Sequence, residues 1–166
     1  MTIPLTYTNV NETGCCAVPN VADWDKAQIH LSNQHFIRAY TKSFFHIPLN
    51  MAKIMKQLDE TATNSEVRMP DDQVLILSRE LSAWKAEQLY AVNKPVDGAD
   101  NVTLTGDFIS LVFEGPYKNA NKWAQELRDY VTSEGKAIQN LYFFYTTCPK
   151  CAKHYGRNYV IGLAEV

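Results

Sequence analysis

Cys148, Pro149, Lys150 and Cys151, followed by His154, make the densest group of chemically active side chains in the sequence. Two thiolates at C-x-x-C spacing can grip one metal ion, because a tight turn brings both sulfurs within bonding distance. A structural zinc needs four donors, so His154 is the candidate third ligand and Cys15 or Cys16, an adjacent pair near the N-terminus, the candidate fourth. The alternative is a redox or nucleophilic thiol activated by Lys150, Lys153 or His154. A thioredoxin-like thiol would sit at the start of a helix, whereas this segment reads as a loop between two strands. The remaining reading is a turn closed by proline, with the cysteines packed as small hydrophobes.

Two further groups are candidates for proton transfer. Glu114 ends an apolar run between Phe113 and Gly115, where partial burial would make it a usable general acid or base. His46 lies between Phe45 and Ile47 at the end of a strand, as a candidate proton shuttle or a hydrogen-bonded core histidine. Trp84, Tyr90, Phe113, Tyr117, Trp123, Tyr142 and Phe144 are the candidate walls of an apolar ligand site, shared with the core. On NLYFFYTT, alternation puts Tyr142 and Phe144 on one face and Leu141, Phe143 and Tyr145 on the other.

These residues need elements to hold them. Residues 1 to 28, which mix Pro, Asn, Thr, Gly and Asp, read as loops anchored by Trp24, within an N-terminal arm over 1–33 that packs on the domain. Gln34 to Pro48 is a β-branched and aromatic run that predicts a strand. Met51, Ile54, Met55 and Leu58 then recur at helical spacing, and VLILS and EQLYAVNKPV follow as strands. After the turn DGADN the order repeats: a strand over VTLTGDFISLVFEGP, a helix with Ala120, Trp123, Ala124, Leu127 and Val131 on one face, a stop at Gly135, and two closing strands. The reading is therefore an α+β fold, a duplicated β-α-β-β unit occupying residues 34–166, with halves of about 34–97 and 98–166.

Composition narrows the function classes. The 166 residues carry 16 basic and 18 acidic side chains, dispersed along the chain, which gives no footprint for nucleic acid. No apolar run approaches the ~20 residues that span a bilayer, and the N-terminus lacks the pattern of a signal peptide, so a cytoplasmic protein with no membrane partner is expected. The expected partner is a small molecule, and a homodimer is left open. In a reducing compartment the four cysteines read as thiols or ligands before disulfides.

The repeated β-α-β-β order, with FEGPYKNANKWAQELRDYV in its second half, resembles the GyrI-like superfamily of gyrase-inhibitor-like proteins and effector-binding domains. The strings SFFHIPLN, FEGPYKNA and YTTCPKCAKHYGRNYV also look like those of an uncharacterised bacterial family sometimes labelled hydrolase. The resemblance covers roughly residues 34 to 166. It implies a curved, mostly antiparallel, SOUL-like sheet with two principal helices on one side and a cleft between the halves for an apolar, aromatic or cationic small molecule. It also implies hydrolase activity in some members. The superfamily's pocket glutamate falls near Phe143, ahead of Tyr145, so a carboxylate would come from Glu114, Glu80 or Glu87 instead.

Overall fold

The structure is a computed structural model that describes residues 3–166. The element order is α1 (Val21–Trp24), β1 (Gln28–Phe44), β2 (Ile47–Pro48), α2 (Met51–Asn64), β3 (Ile76–Ser82), β4 (Lys85–Val92), β5 (Asn101–Glu114), α3 (Ala120–Ser133), β6 (Asn140–Tyr145), α4 (Pro149–Tyr155) and β7 (Tyr159–Glu165). The fold is α+β, and the pairs β1–β2, β1–β4, β3–β4, β5–β7 and β6–β7 are antiparallel. Two compact units arise. One, the central unit, comprises Ser32–Pro70 and Val74–Thr105; the other, the terminal unit, comprises the chain up to Leu31, Asp71–Gln73 and Gly106–Val166.

In the central unit, β1 pairs with β2 and with β4, and β4 with β3. The helical spacing expected from Met51 onward is realised as α2, which continues to Asn64 and buries Leu58 and Ala62. They pack with Ile37, Val67, Tyr90, Val92 and Val96. Removing a side chain such as Leu58 from water contributes about 1.5–3 kcal/mol. On β4 of the same unit Glu87, 4% exposed, is held by two arginines: Arg38 Nη1 donates at 3.3 Å and Arg79 Nε at 3.2 Å. A buried carboxylate is tolerated only when paired in this way.

In the terminal unit β7 pairs with β5 on one side and β6 on the other. The apolar stripe of α3 covers the sheet through Trp123, Leu127 and Val131, against Ile109, Phe113, Val160 and Ala164. Gly162 on β7 is where helix and strand come closest. A Cβ there would lie 2.9 Å from Leu127 Cδ2 and 3.0 Å from Phe113 Cε2.

Two expectations about local structure are corrected. The strand expected from Gln34 already begins at Gln28, and the arm before it contains the short α1, so the loops expected over residues 1 to 28 are interrupted by a helical turn. Trp24, fully buried, anchors that arm by donating to the Leu5 carbonyl at 3.0 Å. The segment after β6, expected to be a loop, is the helix α4. Pro149 occupies its first turn and Gly156, at φ 71°, ends it in the left-handed conformation. Proline at a helix start and glycine just past its end are the ordinary terminators of a short helix.

Candidate functional site

The hairpin at the end of β1 carries the first candidate. Phe44 pairs with Ile47 across a two-residue turn made of Phe45 and His46, with φ 45° and 69°. Asn-Gly normally supplies such a turn, because glycine and asparagine tolerate positive φ. Phenylalanine and histidine there cost on the order of 1–3 kcal/mol each, and such strain concentrates where function requires it. The β3–β4 connection lies alongside: Ser43 N–H donates to the Trp84 carbonyl at 2.8 Å and His46 N–H to the Ala83 carbonyl at 2.9 Å.

This register sets His46 Nδ1 against a Glu80 carboxylate oxygen. An imidazole whose Nδ1–H faces a carboxylate carries its lone pair on Nε2, the tautomer a general base uses. Three rings stand beside the pair. Phe44 and Phe45 are 4.8 Å apart between centroids, Phe45 and Trp84 4.9 Å, and Phe44 and Trp84 5.6 Å. Trp84 is 52% exposed and Phe45 62%, so the three rings form an apolar patch open to solvent.

The cysteines make the second candidate, in the terminal unit. Cys148 immediately precedes α4 as its N-cap residue, and Cys151 lies on the first turn. This overturns the reading of the C-x-x-C as a strand-to-strand loop. Cys15 and Cys16 reach the same place, so that all four sulfurs lie within 4.8 Å of one another. None of the four is in a disulfide; Cys151 is buried and Cys15 exposed. The arm is shaped to deliver its pair. Thr13 Oγ1 accepts the N–H groups of Cys15 and Cys16 at 3.3 Å each, and Asn11 Oδ1 accepts that of Gly14 at 2.9 Å. Tyr155, at the end of α4, donates its hydroxyl to the Cys16 carbonyl at 2.8 Å and accepts the Glu12 N–H at 3.0 Å. Burial pushes the Cys16 thiol up, whereas the Thr13 hydroxyl 3.2 Å from Cys151 Sγ draws Cys151 down to about 7. His154 stands apart from the sulfurs, its Nε2 3.3 Å from Glu12 and its ring edge-on to Tyr155.

The other candidate residues are dispersed. Tyr90, Phe113, Trp123, Tyr142 and Phe144 are between 1% and 7% exposed and serve the packing of their units. Phe113 stacks on Trp123 at 5.6 Å, and Tyr90 donates to Asp59 at 2.6 Å. Tyr117 is 38% exposed and donates to the Thr147 carbonyl at 2.8 Å. Glu114 is exposed at the end of β5, where its charge acts on Arg157. Glu87 is locked between Arg38 and Arg79, which leaves Glu80, of the three glutamates considered, as the one that faces a histidine. Phe44 and Phe45 stand beside Trp84 only through the hairpin register, which the sequence pattern does not reveal.

A family model described as "Bacterial hydrolase" matches residues 6–166. The chain belongs to this bacterial hydrolase family. Its fold is shared with solved structures of low sequence identity. An uncharacterised conserved protein from Listeria innocua is 14% identical, with a TM-score of 0.57 over 84% of this chain and 92% of its own. A hydrolase from Listeria innocua is 16% identical, with a TM-score of 0.55 over 85% and 92%. A putative bacterial transcription regulation protein from Staphylococcus aureus MU50 is 13% identical, with a TM-score of 0.52 over 86% and 98%. Among curated proteins, none matches the chain. Within this hydrolase-family chain, no helix among the described residues is long and apolar enough to cross a membrane.

Proposed function

We propose that this member of the bacterial hydrolase family hydrolyses a small apolar or aromatic molecule at the β1–β2 hairpin. The observation that carries the reading is the His46 imidazole against the Glu80 carboxylate, beside the half-exposed rings of Phe44, Phe45 and Trp84. The aromatic faces receive the apolar part of the substrate, as flat rings do for flat ligands. His46 takes a proton from the attacking water through Nε2, and Glu80 holds the ring and stabilises the imidazolium that forms. An ester would then yield its acid and alcohol. The GyrI-like kinship and an origin by duplication belong to the same proposal. They are supported by the order strand, 14-residue helix and two strands, which recurs in α2 with β3 and β4 and in α3 with β6 and β7.

The test is a panel of aryl and alkyl esters, amides and epoxides. Activity on an aromatic member should fall about 100- to 10,000-fold in His46→Ala, the range general-base catalysis spans. It should fall less in Glu80→Gln and return in part when imidazole is added to His46→Ala. Glu114→Gln should leave it unchanged. Full activity in His46→Ala would refute the assignment, and loss in Glu114→Gln alone would move the chemistry to the terminal unit.

A further inference from the structure

Four thiols drawn together from two distant stretches of chain are an unusual arrangement for residues with no shared task. Three observations separate this group from accidental proximity. The sulfurs lie within 4.8 Å of one another, and those of Cys15 and Cys16 are 3.8 Å apart. A regular tetrahedron of sulfurs bonded to a metal at about 2.3 Å has edges of about 3.8 Å, so the Cys15–Cys16 edge already has that length and every other edge is within about 1 Å of it or shorter. The backbone around Cys15 and Cys16 is held by hydrogen bonds that do not use the sulfurs: Thr13 and Asn11 fold the arm, and Tyr155 ties Cys16 to the end of α4. Finally, the hydroxyl of Tyr7 donates to the Thr146 carbonyl at 2.7 Å, which fixes the arm to the chain just ahead of Cys148.

We propose that Cys15, Cys16, Cys148 and Cys151 form a closed four-sulfur zinc site that fastens the N-terminal arm to α4. The donor set decides the metal class. Four thiolates are soft ligands that exclude magnesium and calcium and suit a tetrahedral zinc ion. The protein fills all four positions, which makes the site structural and leaves no place for a bound water to act on substrate. Four thiolates and Zn²⁺ carry two net negative charges, and Lys150 and Lys153 on the same short helix supply positive charge. His154 is not needed as a donor, since Glu12 and Tyr155 engage its ring. This site lies outside the hydrolytic proposal, and neither depends on the other.

The full chain, purified without chelator, should contain one zinc per molecule by elemental analysis. Replacement by cobalt should give the intense charge-transfer bands and visible bands of a tetrahedral thiolate site, and X-ray absorption should report four sulfur neighbours. Cys16→Ser and Cys151→Ser should each lose these bands, and the pair Cys15→Ser with Cys16→Ser should weaken zinc binding by about a thousandfold or more. Because those variants could unfold, the wild-type measurements decide the matter independently. Four free thiols in excess zinc, a Cys148–Cys151 disulfide in the purified protein, the red colour of an iron–sulfur centre, or oxygen and nitrogen neighbours at the bound metal would each overturn the proposal.

Discussion

Glu87 offers a sharp separation of structure from catalysis. Its carboxylate is 4% exposed and accepts from Arg38 at 3.3 Å and Arg79 at 3.2 Å, while Arg38 also grips Asp100 through two bonds of 2.9 and 3.1 Å. Glu87→Gln keeps the shape and one acceptor oxygen but removes the charge, so an amide N–H₂ must face one of two guanidinium groups. Breaking a buried ion pair costs about 3–5 kcal/mol when the partner is stranded. Here the arginine side chains are 30% and 32% exposed and can recover some water, and Arg38 keeps Asp100. The expected loss is therefore about 2–4 kcal/mol.

For a protein of this length 1 kcal/mol corresponds to about 2–4 °C, so the melting temperature should fall by roughly 5–15 °C. Asp100→Asn is the internal control, because its side chain is 46% exposed and exposed pairs contribute about 0–1 kcal/mol. Urea unfolding of wild type, Glu87→Gln and Asp100→Asn would measure both. Hydrolysis by folded Glu87→Gln should remain at the wild-type level, the inverse of Glu80→Gln, which should keep its stability. A Glu87→Gln protein as stable as wild type, or an Asp100→Asn loss of equal size, would refute the argument that burial makes this carboxylate indispensable.

Three further outcomes follow from neighbouring geometry. Burial works to raise the Asp59 carboxyl, but the Tyr90 hydroxyl at 2.6 Å and Arg68 at 2.8 Å prevail and hold it below the usual carboxylate range. A depressed carboxyl adds stability above its unfolded value and loses it as pH falls through the folded one. Tyr90→Phe should thus cost about 1 kcal/mol near neutral pH, and the gap to wild type should narrow in urea titrations as the solution is acidified below that range. Gly162→Ala should destabilise by about 1–3 kcal/mol, since its Cβ would meet Leu127 at 2.9 Å, and a wild-type melting curve would contradict the close approach of α3 to β7. Zinc removal by a strong chelator should lower the melting temperature and expose the arm to protease first. In the unfolded chain the two cysteine pairs are separated by a loop whose closure costs about 5 kcal/mol, so zinc stabilises the fold to the extent that the folded protein binds it more tightly than the unfolded chain does.

Much of this architecture could be read locally. The stripes on α2 and α3 follow from apolar residues three and four apart, and Leu58, Trp123, Leu127 and Val131 are buried where that spacing puts them. Tyr142 and Phe144 turn to one buried face of β6 because side chains alternate along a strand. Even α4, read as a loop, announces itself in Pro149 and Gly156 once the terminators are sought; the aromatic and β-branched runs on either side hid a helix of seven residues. The types of residue at both candidate sites were equally visible, with histidine beside aromatics and cysteines in two pairs.

What joined them required the tertiary structure. His46 meets Glu80 because one hairpin's turn hydrogen-bonds to the next, and a slip of one residue in that register would turn either side chain to the opposite face. Whether Glu80 or Glu87 faces a titratable partner is likewise a question of burial: each lies in a strand of similar composition, and only packing puts Glu87 between two arginines. Cys15 and Cys16 reach Cys148 and Cys151 through contacts such as Tyr155 to Cys16, between residues that local periodicity cannot relate. Sequence determines which groups are available and the faces on which they stand. Their convergence depends on strand register and on long-range closure, whose free energy is collected only when the whole chain has folded.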